Sequence, residues 1–287
     1  MNKAKNLGSG STEVPKILAV WQPVGYSTHK ISKSVGNYYG TKATHTGTLD
    51  PLAEGVVIIL LGDERFKKQE HTEWKKTYEF EIFFGISTDS YDFMGYLNKG
   101  GEVARAEAGP GAGIGVGAGV AKESLEKALV GFVGEYTQKV PIFSAIKYKG
   151  KHLFEWGHEE SQIEKAKVLA ELPEKRGHIY SIKLKGLREE PAKPHLQKKL
   201  EELKTIQGNF RQEKIIKQWE KYISKLDPKV KTQVAKISVT TSRGIYVRSL
   251  SQDICAKLNT VGFITKLTRI KNGPYTKNKC FMLDLLP

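Results

Sequence analysis

His45-Thr46-Gly47-Thr48-Leu49-Asp50-Pro51-Leu52-Ala53-Glu54-Gly55 is the stretch on which the reading of this chain turns. Taken locally, it is a turn leading into a helix. Asp50 suits a helix N-cap, because its carboxylate can accept from the unpaired amides of a first turn. Pro51 suits the first helical position, and Gly47 the preceding turn. A single Asp with no carboxylate partner at fixed short spacing is not a signature of acid–base chemistry. Local chemistry alone therefore assigns Asp50 a structural role.

Outward from this run, strand and helix signatures are intermixed. Within Lys76–Phe84, Tyr78, Phe80, Ile82 and Phe84 share one parity while Glu79 and Glu81 take the other, which predicts a half-buried strand. Leu125, Ala128, Leu129 and Phe132 recur at helical spacing, with Gly131 and Gly134 marking the end of that helix. Residues 138–150 interleave aromatic and basic side chains around Pro141 and read as a long loop or thumb. Residues 179–184 alternate like a strand. Leu196, Leu200, Leu203 and Ile206, then Ile215, Trp219, Ile223 and Leu226, form two helical stripes separated by Gly208-Asn209, with lysines on the other face. Strand patterning returns at 234–240 and 244–247, and a helix is expected near 250–258. The mixture lacks regular βαβ repetition, which predicts an α+β fold around a mixed or antiparallel central sheet flanked by helices and loops.

Composition bounds the function. The 287 residues carry 46 Lys and Arg against 31 Asp and Glu, a net charge of +15. Eleven Phe, four Trp and twelve Tyr can anchor a sizeable core, which argues against wholesale disorder. The best apolar run, 56–61, is about a third of the length a membrane helix needs, so no membrane association is expected. Residues 1–12 are polar, with Gly8-Ser9-Gly10-Ser11, and lack the apolar stretch of a secretory signal. Two cysteines, Cys255 and Cys280, cannot build a disulfide framework, so a cytoplasmic location is expected. The seven histidines show no metal-type spacing. Eight glycines fall within 100–119, mostly two apart, which fits neither a dinucleotide fingerprint nor a phosphate loop and reads as a flexible insertion.

The surplus charge is clustered. Residues 193–231 hold eleven Lys and Arg against five acids, and 232–287 hold nine against two. These two blocks carry a net +6 and +7, and residues 16–49 contain four lysines and no acid. Such clustering points to a polyanionic partner bound through phosphates, with an affinity that falls as salt rises. It carries no sequence specificity.

The 45–55 run and five further blocks, in the same order, resemble the TruB-type pseudouridine synthase family, whose bacterial members modify the T-loop uridine of tRNA. Lys75 through Gly85 is similar to the strand that follows the family's Asp motif, and Ser87-Thr88-Asp89-Ser90-Tyr91-Asp92-Phe93-Met94-Gly95 to its Asp-rich turn. Residues 138–147 resemble its thumb, Ser242 through Leu250 its Gly-x-Tyr-x-Arg motif, and Leu267-Thr268-Arg269 its Leu-x-Arg.

The resemblance implies a cofactor-free isomerase acting at position 55, with Asp50 as nucleophile and the tRNA T-arm as its partner. A carboxylate is already ionised at neutral pH and serves as a nucleophile without a base. Arg248 is implied as the guanidinium that orients it, and Tyr78 as the aromatic that stacks on the base and serves in proton removal at carbon. Tyr246 and Leu267 are implied uridine-pocket residues, and His45 a planar side chain near the flipped nucleotide. The resemblance implies no metal and, being to the stand-alone bacterial branch, no obligatory protein partner.

The chain departs from the family in four respects. Gln22 stands where the N-terminal Lys-Pro-x-Gly signature has lysine. Insertions at about 100–122 (Gly-rich) and 189–231 (basic, helical) are atypical, and no PUA-type RNA-binding domain is expected before the end at Pro287. The resulting expectation is a flexible tail over 1–14 and one catalytic domain over 15–287. The alternatives are a non-catalytic tRNA-binding or folding protein on the same fold, or a synthase for another RNA. Asp50→Asn separates the former from an enzyme.

Overall fold

The computed structural model describes residues 14–98, 119–158, 162–206, 208 and 210–282, the side chains of 162 and 163 excepted. The expected tail, apart from Val14, and most of the Gly-rich insertion lie outside the described residues. The elements run β1 (Ile17–Gln22), α1 (Thr28–Tyr38), β2 (Ala43–His45), β3 (Ala53–Leu61), α2 (Lys68–Thr72) and β4 (Lys76–Phe84). After the Gly-rich segment come α3 (Lys122–Val130), β5 (Gly134–Lys139), a hairpin of β6 (Lys147–Tyr148) and β7 (Lys151–His152), α4 (Leu153–Gly157) and α5 (Gln162–Ala170). The long β8 (Glu174–Pro191) leads into α6 (Ala192–Lys204) and α7 (Gln212–Lys225). The chain closes with β9 (Lys231–Thr241), α8 (Val247–Lys257), β10 (Gly262–Asn272), β11 (Tyr275–Thr276) and β12 (Phe281–Met282). No helix among the described residues is long and apolar enough to cross a membrane.

Two compact units emerge. One takes the described residues within Met1–Glu79, Thr205–Asn209 and Lys266–Pro287; the other takes those within Phe80–Lys204 and Phe210–Thr265.

The first unit is built on β3. Val56, Val57, Ile58, Ile59 and Leu60 are all fully buried, so both faces of the strand are covered and its apolar run is unbroken. Each such side chain contributes about 1.5–3 kcal/mol by leaving water. β1 pairs antiparallel with β3 from Ile17↔Leu60 to Gln22↔Gly55, and β10 pairs parallel with it through Leu267↔Ala53 and Arg269↔Gly55. The parallel β12 takes the other edge of β1. Ala19, Trp21, Val56, Ile58 and Leu60 form one core cluster, with Trp74 and Tyr275 packed against it. The sheet is mixed, and with its flanking helices it gives the α+β class expected.

In the second unit the strand order is β4-β9-β8-β5, with β9 and β5 antiparallel to β8. The two helices predicted from the leucine and isoleucine stripes are present as α6 and α7. Their buried faces include Leu196, Leu200 and Leu203, then Ile215, Trp219 and Ile223. Trp219 is fully buried and stacks on Phe93 with ring centroids 4.2 Å apart, and Phe263 lies 5.5 Å from it. Stacking of this kind adds about 0.5–1.5 kcal/mol beyond burial.

Two local readings are corrected. Asp50-Pro51 does not open a helix: a turn at Pro51-Leu52 leads directly into β3. The cap signal is local, whereas the state of 53–61 is set by pairing on both sides. Residues 244–247 are not a strand either. Gly244 has φ +85°, a left-handed turn that ends the extended backbone after Thr241, and α8 starts at Val247.

Candidate active site

β2 lies antiparallel to β3, His45 facing Ile59, and the amide of Thr46 donates to the Ile58 carbonyl at 3.2 Å. Asp50 therefore belongs to the short loop joining two paired strands. Its backbone is held on both sides. The Leu49 amide donates to the buried Thr28 hydroxyl at 3.0 Å, and the Gly25 amide donates to the Pro51 carbonyl at 2.8 Å. The Asp50 carbonyl itself accepts from the Ala53 amide at 2.9 Å. Thr28 in turn donates to the Gln22 side-chain oxygen at 2.6 Å, and the Gln22 amide nitrogen donates to the Tyr26 carbonyl at 3.0 Å. Gln22 is 0% exposed, and its neutral amide meets both a donor and an acceptor there. An ammonium at that position would bring a charge into a fully buried place.

From the β10 side, Arg269 is 2% exposed. Its Nε donates to the Val56 carbonyl at 2.7 Å and its Nη2 to the Gly47 carbonyl at 3.1 Å. One guanidinium thus ties the start of the loop to the strand that follows it. Gly55 has φ +136°, and a Cβ there would collide with the backbone of Arg269. Only glycine lets β10 approach this closely.

Other predicted residues of this unit take definite places. Leu267 is 8% exposed and pairs with Ala53, three residues after Asp50. Tyr78 lies on the buried face of β4, on the parity expected from its alternation. His45 Nε2 is 3.2 Å from the Thr48 hydroxyl. Burial holds its imidazole well below the ordinary value of 6.5, at about 4, with the charges of Lys68, His29 and Arg269 adding to the effect. It is a neutral ring at physiological pH, suited to stacking or hydrogen bonding.

Arg248 and Tyr246 belong to the second unit. Arg248 is in the first turn of α8 and buried. It donates through Nη1 to the Ser90 carbonyl at 3.2 Å and through Nη2 to the Phe143 carbonyl at 2.9 Å, and its Nε is 3.8 Å from the Asp92 carboxylate. Asp92 is fixed by the Ser90 hydroxyl at 2.6 Å and the Met94 amide at 2.9 Å. The Asp-rich turn and the thumb thus meet at one guanidinium. The Tyr246 amide donates to the side-chain oxygen of buried Gln138 at 3.1 Å, and the Gln138 amide nitrogen donates to the Gly244 carbonyl at 3.1 Å. The Tyr246 ring packs against the thumb cluster of Val140, Ile142 and Leu153.

The sequence reading placed Gln22 and Arg269 in family-like segments without giving them a supporting role, and it did not single out Thr28. The signals were the Leu-x-Arg resemblance for Arg269, which is a buried cation on β10, and the exchange of lysine for a neutral amide at Gln22. Among the described residues, no group of three His, Cys, Asp or Glu side chains could hold a metal ion.

A family model described as TruB family pseudouridylate synthase (N terminal domain) matches residues 36–201. The chain is 28% identical over 270 residues to the tRNA pseudouridine synthase B of Caldicellulosiruptor saccharolyticus, covering 94% of this chain and 71% of the relative. It is 29% identical to the tRNA pseudouridine synthase B of Caldanaerobacter subterraneus subsp. tengcongensis, covering 94% and 73%. Among solved structures, a Cbf5-Nop10-Gar1 complex contains a chain similar in fold, with TM-score 0.54 at 15% identity over 93% of this chain. This chain spans about half the length of that solved chain, 52%.

Proposed function

Because this chain belongs to the TruB family of pseudouridylate synthases, we propose that it isomerises the T-loop uridine of tRNA, position 55, to pseudouridine. The observation that carries the reading is the family match across 36–201, a span that includes the 45–55 run. The reaction breaks the bond between ribose C1′ and N1 of the base and forms one from C1′ to C5. C5 gives up its proton and N1 gains one, so there is no net redox change. Asp50 is the nucleophile, attacking C1′ or the base or assisting a glycal route, and Arg248 orients its carboxylate. Tyr78 stacks on the base and serves in removing the C5 proton. Tyr246 and Leu267 line the uridine pocket, and neutral His45 stands near the extruded nucleotide, since a base inside an RNA loop must leave its stack before chemistry.

We read 15–287 as one catalytic domain enlarged at about 100–122 and 189–231, working on the T-arm in the cytoplasm without an obligatory protein partner. The second insertion adds RNA contact. On its exposed face Lys204 and Lys217 are paired with acids, while Lys198, Lys214, Lys221 and Lys225 are also exposed. Since Trp219 is buried among aromatics, replacing these four lysines by glutamate is a cleaner test than deleting the helices. The salt dependence of tRNA affinity should flatten; an unchanged slope refutes the contact.

Asp50→Asn tests the main reading. Pseudouridine formation on a T-stem-loop RNA should disappear while RNA affinity stays. Retained conversion overturns the assignment of Asp50. Failure of the unaltered protein to convert tRNA overturns the substrate.

A further inference from the structure

Arg211 immediately precedes α7, with backbone φ +66°, in the left-handed region that non-glycine residues seldom occupy. Its side chain leaves the helical hairpin and enters the Asp-rich turn and the thumb. Nη1 is 3.0 Å from Oδ2 of Asp89. The guanidinium lies 4.2 Å from the ring centroid of Phe143 and 4.7 Å from that of Tyr96. The side chain is 14% exposed, and its Nε is buried with no hydrogen-bond partner among the described residues. Lys165 supports the same pair, 3.6 Å from Asp89 Oδ2 and 5.7 Å from the Phe143 ring. His158 meets that ring edge-on at 5.9 Å.

These contacts converge on Arg248. Two carbonyls that accept from Arg248 are those of Ser90 and Phe143. Arg211 grips Phe143 by its ring and Asp89, the neighbour of Ser90, by its carboxylate. The two residues it grips, Asp89 and Phe143, are 54 positions apart in sequence. A planar guanidinium can stack on an aromatic face and bond a carboxylate at its edge at once, whereas an ammonium cannot reproduce the stack.

We propose that Arg211 is a positioning residue: it clamps the Asp-rich turn to the thumb and thereby fixes the carbonyls that orient Arg248. The clamp belongs to the atypical helical insertion, which gives that insertion a role in catalysis besides any RNA contact. The inference rests on the reading of Arg248 as the cation that orients Asp50.

The test uses the full chain and a T-stem-loop RNA, with Arg211→Ala, Arg211→Lys, Phe143→Leu and the Arg211→Ala/Phe143→Leu double variant. In Arg211→Ala, the single-turnover rate at saturating RNA should fall at least tenfold while RNA affinity stays within threefold. Amide exchange over 87–97 and 138–147 should quicken at least tenfold. Arg211→Lys keeps a charge for Asp89 and loses the stack, so it should restore protection over 87–97 but not over 138–147. The double variant should be no more than threefold slower than Arg211→Ala. A wild-type rate, a loss confined to affinity, or unchanged exchange in both segments would overturn the proposal. If Arg211→Ala does not fold, the split exchange pattern of Arg211→Lys decides. If the unaltered protein converts no uridine, the functional reading fails, and the exchange measurements still decide the clamp.

Discussion

The hydroxyl of Thr28 accepts the amide hydrogen of Leu49 at 3.0 Å, linking the first turn of α1 to the residue that precedes Asp50. Thr28 is 1% exposed, so water cannot replace the bond. Thr28→Val keeps the shape and removes the oxygen, leaving the Leu49 amide and the Gln22 side chain each short of a partner. Stability should fall by about 1–3 kcal/mol by denaturant titration. The isomerisation rate should fall further than the folded fraction does. Unchanged stability would show that the loop is held without this bond.

Arg269→Lys tests the tie between Gly47 and Val56. One ammonium cannot keep the paired geometry with which a guanidinium reaches the two carbonyls, which are donated to at 3.1 and 2.7 Å. A stability loss of about 2–3 kcal/mol is expected for a buried charge that loses hydrogen bonds. Thermal unfolding measures it, and a substitution without effect would contradict the arrangement.

Gly55→Ala meets two penalties at once. At φ +136° an alanine is strained, and its Cβ would collide with the backbone of Arg269. Strain and overpacking each cost about 1–3 kcal/mol, so the variant should be poorly folded or lose several kcal/mol. Circular dichroism during chemical denaturation gives the answer.

His45 supplies a pH dependence with a definite sign. Its folded value of about 4 lies below the ordinary 6.5, so the unfolded chain takes up the proton first as pH falls. Its contribution to stability is complete above about pH 6.5 and declines as pH drops from there toward about 4. Proton NMR of the imidazole should show a midpoint near 4, and His45→Gln should flatten that part of the stability curve. A midpoint between 6 and 7 would refute the burial.

Much of the fold was legible where burial is one-sided and periodic. Tyr78, Phe80 and Ile82 are buried and Glu79 and Glu81 are not, as the alternation of β4 predicts. The stripes of α6 and α7 face inward for the same reason. Reading failed where a local signal competed with pairing at long range. Asp50-Pro51 carries cap chemistry, yet the next nine-residue strand is claimed by β1, β2 and β10. Gly244 stops an apparently regular strand pattern because its turn sends the chain into α8.

Sequence alone determined the family, through six ordered blocks, and with it Asp50 as the residue to test. It also determined the basic character and the strand and helix periodicities, because these depend on residue type and spacing. Tertiary structure decided what holds those residues. Thr28 and Arg269 grip the Asp50 loop from positions 21 and 222 residues away, as the bonds Leu49 to Thr28 and Arg269 to Gly47 record. Arg248 finds its carbonyl partners 158 and 105 residues away. Such contacts leave no periodic trace, since a hydrogen bond between distant segments constrains one donor and one acceptor and no spacing between them.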